Sequence, residues 1–244
     1  MKQTRLLLIH LFLLLSYYGC KKPGCLGSAG PAISQERLVG SFSQLTLEDN
    51  IDLLLIQGDT EKIEITAAEN IIPNIQTLVS NGMLTISNEA DCRWMRNADE
   101  KIAVRLYFKD LSLINYNGSG NITNTDTLRL NILQMISEKG AGNIELTVDN
   151  QSTRAVILKE NAAMTLHGRS AFCDTYANAR GLLDLSDLSV QKMYLIYSGL
   201  ADTHIQVSEE LDATIRYKGN VYYKGDPFIK RSDYFSSGRL IKTP

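Results

Sequence analysis

A short motif that returns about every twenty residues limits what the second half of this chain can become. Gly118-Ser119-Gly120-Asn121-Ile122 comes back as Gly140-Ala141-Gly142-Asn143-Ile144. Weaker echoes follow at Glu160-Asn161-Ala162-Ala163-Met164, Ala179-Arg180-Gly181-Leu182-Leu183, Gly199-Leu200-Ala201-Asp202-Thr203 and Gly219-Asn220-Val221. The anchors at 118, 140, 160, 179, 199 and 219 lie 22, 20, 19, 20 and 20 residues apart. Four residues before each stands Ile114, Ile136, Val156, Thr175, Leu195 or Ile215. After each comes a short alternating run such as Ile144-Glu145-Leu146-Thr147-Val148. A unit this small cannot hold a propeller blade and lacks the helix of most longer repeats. It predicts the coil of a parallel β-solenoid, each turn hydrogen-bonded to the next. Inward Ile, Leu and Val then stack along the axis, while Glu145, Thr147, Asp184, Ser186, His204 and Gln206 face out. Corner glycines reach positive φ without penalty, and Asn tolerates the left-handed region. A meander of twenty-residue hairpins is the competing arrangement for the same spacing.

The first half has a different rhythm. From Phe42 to Asn88 apolar and polar residues alternate, as in Ile63-Glu64-Ile65-Thr66, with turn signals at Gly58-Asp59 and Asn81-Gly82. Ile71 to Val79 leaves room for a helical turn around Pro73, residues 88–100 read as a polar loop, and Lys101 to Phe108 resumes a strand. The expected body therefore spans 36–230, with an N-terminal β region over 36–108, a solenoid over 109–230 and a tail over 231–244.

The chain begins like an exported protein. Lys2 and Arg5 precede an apolar run from Leu6 to Tyr18 that ends at Gly19-Cys20. That run is too short to span about 30 Å of hydrocarbon but suits the core of a secretory signal. A small residue before Cys is the pattern of bacterial lipoprotein signals, although Tyr17 stands where a Leu-like residue is usual. Residues 1–19 are expected to be removed and Cys20 to carry lipid, giving a membrane attachment; an ordinary signal cleaved nearby is the alternative. Residues 20–35, with two Pro and three Gly between Lys21 and Ser34, read as a tether. Cys25, Cys92 and Cys173 remain, with no metal or CxxC spacing; an oxidising envelope permits one disulfide and leaves an odd thiol.

The chain resembles the auto-transporter adhesin, head-GIN domain family of Bacteroidetes envelope proteins. The resemblance runs over roughly 38–228. It rests on Phe42 to Leu47 leading into Asn50-Ile51-Asp52-Leu53, Gln57-Gly58-Asp59, Asn81-Gly82-Met83-Leu84-Thr85-Ile86, the two Gly-x-Gly-Asn-Ile motifs, Lys218-Gly219-Asn220 and Tyr223-Lys224-Gly225-Asp226-Pro227. It implies an all-β protein: an N-terminal antiparallel or mixed β region continuing into a right-handed parallel β-solenoid with coils of about 20 residues. It also implies an outer-membrane-anchored lipoprotein of the cell envelope, and it brings no catalytic residues. Lys21-Lys22-Pro23 lacks the acidic residues associated with surface export in this group, which leans toward the periplasmic face and leaves the face open.

Signatures of chemistry are missing. With 25 Lys+Arg against 27 Asp+Glu, nothing favours a nucleic-acid partner. Beyond the signal only His167 and His204 are present, no GxSxG elbow or phosphate loop occurs, and no cofactor or metal ligand set is expected. A carbohydrate-cleaving solenoid would need paired carboxylates, for which Asp184, Asp187 and Asp202 are the candidates. Tyr116, Tyr197 and Tyr217 each fall two residues before a repeat anchor. Two arrangements fit them: an exposed aromatic surface for a glycan, or a buried ladder. Tyr222 and Tyr223 are expected to help cover the last coil, whose open edge would otherwise invite pairing with another chain, and exposed strand edges that pair between subunits would give a homo-oligomer. The expected function is non-enzymatic: an adhesin-like or structural binding module for a glycan or another envelope protein.

Overall fold

The computed structural model describes residues 29–90, 101–159, 161–178 and 180–244. Residues 1–19, Cys20, Cys25, Cys92 and most of the expected loop at 88–100 lie outside that range. Among the described residues, seventeen strands form one continuous sheet that folds over into two facing layers. The first layer runs, in hydrogen-bonded order, through β1 (Ala32–Leu38), β4 (Lys62–Ala68), β7 (Ile102–Phe108), β3 (Ile51–Gln57) and β9 (Ile122–Asn124). It continues in the first halves of β11 (Asn143–Ile157), β12 (Ala163–Ala177), β13 (Leu182–Tyr197) and β14 (Thr203–Ile215), then β15 (Val221–Lys224) and β17 (Leu240–Lys242). The second layer runs through β5 (Ile75–Ser80), β6 (Met83–Asn88), β2 (Gln44–Leu47), β8 (Leu113–Tyr116), β10 (Ile132–Ser137), the second halves of β11 to β14, and β16 (Phe228–Tyr234).

Alternation decides which side chains enter the space between the layers. In β7, Ile102, Val104, Leu106 and Phe108 are buried while Ala103 and Arg105 are exposed. Every pairing from β6 and β7 onward is parallel, so equivalent residues of successive coils stack in columns about 4.8 Å apart. The result is a parallel β-solenoid of about six turns behind a mixed N-terminal sheet. The middle coils use single strands of 13 to 16 residues that bend from one layer to the other. Gly168, at φ 97°, sits at one such bend.

The antiparallel strands collect at the N-terminal end. Asn81 and Gly82 both have positive φ, 51° and 75°, which makes the β5–β6 connection the tight hairpin that an Asn-Gly pair encodes. The helical turn near Pro73 is a 3-10 turn over Ile72–Asn74. Ordered structure also extends past both expected boundaries. β1 begins inside the segment read as a tether and pairs with β4, but it is exposed on both faces, so no alternation marks it. At the other end, Gly238 follows Gly219 by 19 residues and backs onto its carbonyl; β16 and β17 complete a further coil from residues read as tail.

The corners work by contact and hydrogen bonding. None of the motif glycines from Gly118 to Gly219 has positive φ. A Cβ on Gly120 would lie 2.1 Å from the Ile51 carbonyl oxygen, and one on Gly142 2.4 Å from that of Gly120. Glycine is required because successive coils touch there. The Asn and Asp residues of the motif form a ladder instead of taking the left-handed conformation. Asp52 accepts from the Asn121 N–H, Asn121 from the Asn143 N–H, Asp202 from the Asn220 N–H and Asn220 from the Arg239 N–H.

Candidate functional site

Stacking in register places Tyr116 and Tyr197 inside. One column of the second layer reads Ile86, Leu47, Tyr116, Ser137, Ile157, Ala177, Tyr197, Ile215 and Tyr234. Each buried ring has a small neighbour on one side, Ser137 or Ala177, which makes room for it. The Tyr116 hydroxyl donates to the Gly120 carbonyl and accepts from the Gly142 N–H, and the Tyr197 hydroxyl donates to the Ala201 carbonyl. Burial pushes both phenols up to about 12. These two tyrosines are core residues and offer nothing to a ligand. Tyr217 is different: it is 42% exposed and outside any strand. Ile215 takes the column position opposite Tyr197, and the corner from there to Gly219 is two residues longer than the one from Tyr197 to Gly199. β14 recovers those two residues earlier, where it runs directly past a bulge around Ser186 and Asp187 of β13. Constant anchor spacing therefore conceals a shift of two, and Tyr197 and Tyr217 are not stacked neighbours.

The outer face of the first layer carries the polar groups that a ligand can reach. One outward row passes through Leu54, Thr123, Glu145, Thr165, Asp184, His204 and Tyr222, spanning about 29 Å. His204 and Tyr222 stack face to face, with centroids 5.1 Å apart and an interplanar angle of 15°. In the neighbouring row His167 lies between two carboxylates, its Nε2 3.4 Å from Glu145 and its Nδ1 3.5 Å from Asp187. Beyond it, Arg169 grips Asp149 through two 2.7 Å hydrogen bonds, which hold that carboxyl below the usual range.

Toward the N-terminal end the row opens into a groove of about 300 Å³. Leu54 and Ala103 form its apolar floor, and Asp52, Arg105, Asn121 and Thr123 line it. Arg105 is tethered weakly to Glu64 at 3.8 Å, and Glu64 is bound more closely by Lys62 at 2.8 Å, which keeps its carboxyl low. Of this row, alternation in the sequence marks Glu145, Asp184 and His204 as outward but assembles neither the aromatic pair nor the groove. The signal was there in the roughly twenty-residue offsets between polar positions, such as His204 and Asp184.

The three candidate carboxylates do not converge. Asp184 accepts the Ser186 N–H within the β13 bulge, Asp187 turns toward His167, and Asp202 belongs to the corner ladder. His204, not Asp202, lies beside Asp184 on the next coil. Among the described residues no group of three or more His, Cys, Asp or Glu side chains is arranged to hold a metal. Cys173 is buried and unpaired, its thiol pushed up to about 12 by desolvation. No helix among the described residues is long and apolar enough to cross a membrane.

The family model described as "Putative auto-transporter adhesin, head GIN domain" matches residues 41–227. Among solved structures, one described as a putative adhesin from Bacteroides fragilis aligns with a TM-score of 0.74 at 18% identity, over 87% of this chain and 97% of its own. One described as a putative lipid binding protein from Parabacteroides distasonis aligns with a TM-score of 0.68 at 20% identity, over 88% and 98%. A further adhesin-named structure from that organism aligns at 0.64 and 18%, over 88% and 98%. At these identities the likeness is one of fold. No curated protein matches the chain.

Proposed function

The chain belongs to the family described as "Putative auto-transporter adhesin, head GIN domain", and from that premise we propose that it is a non-enzymatic envelope module that holds an extended, hydroxyl-rich polymer along the outer face of its first layer. The observation that carries this reading is the His204–Tyr222 stack at one end of a straight row of hydroxyl and carboxylate side chains. The stacked rings present their edges and polar tips to a sugar, and Thr123, Glu145, Thr165 and Asp184 offer further partners for its hydroxyls. A row in register with the coils suits a ligand with its own repeat. Attachment belongs to the same reading: lipid on Cys20, a short linker, and Lys21 and Lys22 near anionic headgroups hold the body at the outer membrane. The separated engagements of Asp184, Asp187 and Asp202 support binding over glycoside cleavage, which needs two carboxyl groups facing one bond.

The test is a polysaccharide pull-down and glycan array with the protein beside Tyr222→Ala and His204→Ala variants. Binding by the parent that falls about tenfold or more in both variants, at unchanged melting temperature, is the expected result. Parent binding unaltered by either substitution, or no glycan retained at all, removes the reading.

A further inference from the structure

The two ends of the stack are built differently. The N-terminal end is closed by antiparallel strands, whereas at the C-terminal end β16 is paired, among the described residues, with β14 alone, which leaves its other edge open. The Phe235 N–H donates to the Ile215 carbonyl. Alternation along the strand therefore turns the N–H and C=O groups of Ser232 and Tyr234 toward the open edge. Large apolar side chains collect here, with Phe228 and Phe235 70% and 71% exposed and Tyr234, the last rung of the buried column, 42% exposed. Charges that ordinarily repel a second strand from an edge are already balanced: Lys230 binds Glu210 at 3.1 Å and Arg231 binds Asp212 at 2.7 Å.

We propose that β16 pairs antiparallel with β16 of a second copy of this chain, about a two-fold axis through Ser232. This register uses the two residues whose backbone groups face outward. It sets Ser232 opposite its own counterpart on the axis, and Arg231 opposite Asp233 once on either side of it. The strand is self-complementary in charge, because basic Arg231 and acidic Asp233, 3.8 Å apart within one chain, flank the axis symmetrically. Both side chains point away from the core, since they alternate with Ser232 and Tyr234, which follow buried Ala213 and Ile215 in the ladder. The bulge at Lys230, between Ile229 and Arg231, leaves the stretch from Arg231 onward regular. Pairing covers the open rung at Tyr234 and continues the second layer from one molecule into the next. It also sends the two N-terminal ends in opposite directions. With the lipid attachment proposed above, the two copies would come from facing surfaces; the pairing itself does not depend on that attachment or on the ligand face.

Native mass spectrometry of the full chain released from detergent, over a concentration series, tests the pairing. A dimer is expected for the parent chain. Asp233→Lys places like charges across the axis twice and is expected to weaken self-association about tenfold. Ser232→Pro removes an edge N–H that the coil does not use and is expected to leave a monomer with its melting temperature kept. A parent chain that stays monomeric overturns the proposal. So does a dimer indifferent to both substitutions, or masses that grow without limit, which would mean head-to-tail stacking. Should Ser232→Pro unfold the coil, Asp233→Lys still decides.

Discussion

Tyr116 and Tyr197 show how one side chain can serve packing and hydrogen bonding together. Each ring fills its coil, and each hydroxyl reaches a corner carbonyl four residues on. The phenol must stay neutral to do this, and desolvation raises its pKa to about 12 against the ordinary 10.0. The sign of the pH effect follows. Below the ordinary value both folded and unfolded chains hold the proton, and the stabilisation is complete. Above it the unfolded chain releases the proton while the folded chain keeps it, so stability falls as pH rises from about 10 through about 12. Denaturant midpoints measured up to about pH 12 should decline across that window. Tyr116→Phe should show a shallower decline while costing about 1–3 kcal/mol at neutrality, because the Gly142 N–H and Gly120 carbonyl lose their partner. Equal slopes for parent and variant would remove the argument.

At the scale of the element, the corner is where coils meet, and its tolerance is set by space. Gly120→Ala drives a Cβ against the Ile51 backbone and should cost about 1–3 kcal/mol or more, read as a lowered melting temperature. Gly40→Ala meets nothing within 4 Å and should change stability by less than about 0.5 kcal/mol. A similar loss at both positions would mean that backbone entropy, and not contact, selects glycine. This physics bounds what the sequence could convey. The twenty-residue period, the inward columns and the Asn-Gly hairpin were legible because each is a local pattern repeated or a turn with one chemical solution. Why glycine recurs was misread, since φ and inter-coil distance leave the same letter. Tyr217 was misplaced because two residues lost in β14 and two gained at the next corner cancel in the spacing. The first-layer face was half legible: alternation marked Glu145 and His204 as outward, but pairing His204 with Tyr222 needs the exact register of β14 on β15. β1 and the final coil carry almost no pattern, being exposed edges with one face or none against the core.

At the largest scale, the described β body is a one-dimensional stack in which each coil of about twenty residues touches mainly its neighbours. Such an object responds to load in its own way. Held at the N-terminal end and pulled from the last coil, it bears force along the stacking axis, across its strands, so inter-strand hydrogen bonds open in sequence instead of shearing together. Each coil that peels away turns about 4.8 Å of thickness into a slack of about 65 Å of extended chain. Single-molecule stretching between the two ends should give a sawtooth of about six low peaks, starting from the open C-terminal edge. One tall rupture would show that the layers yield as a unit. A stack that peels gives its holder a compliant leash: tension is shed coil by coil while whatever grips the tip stays gripped.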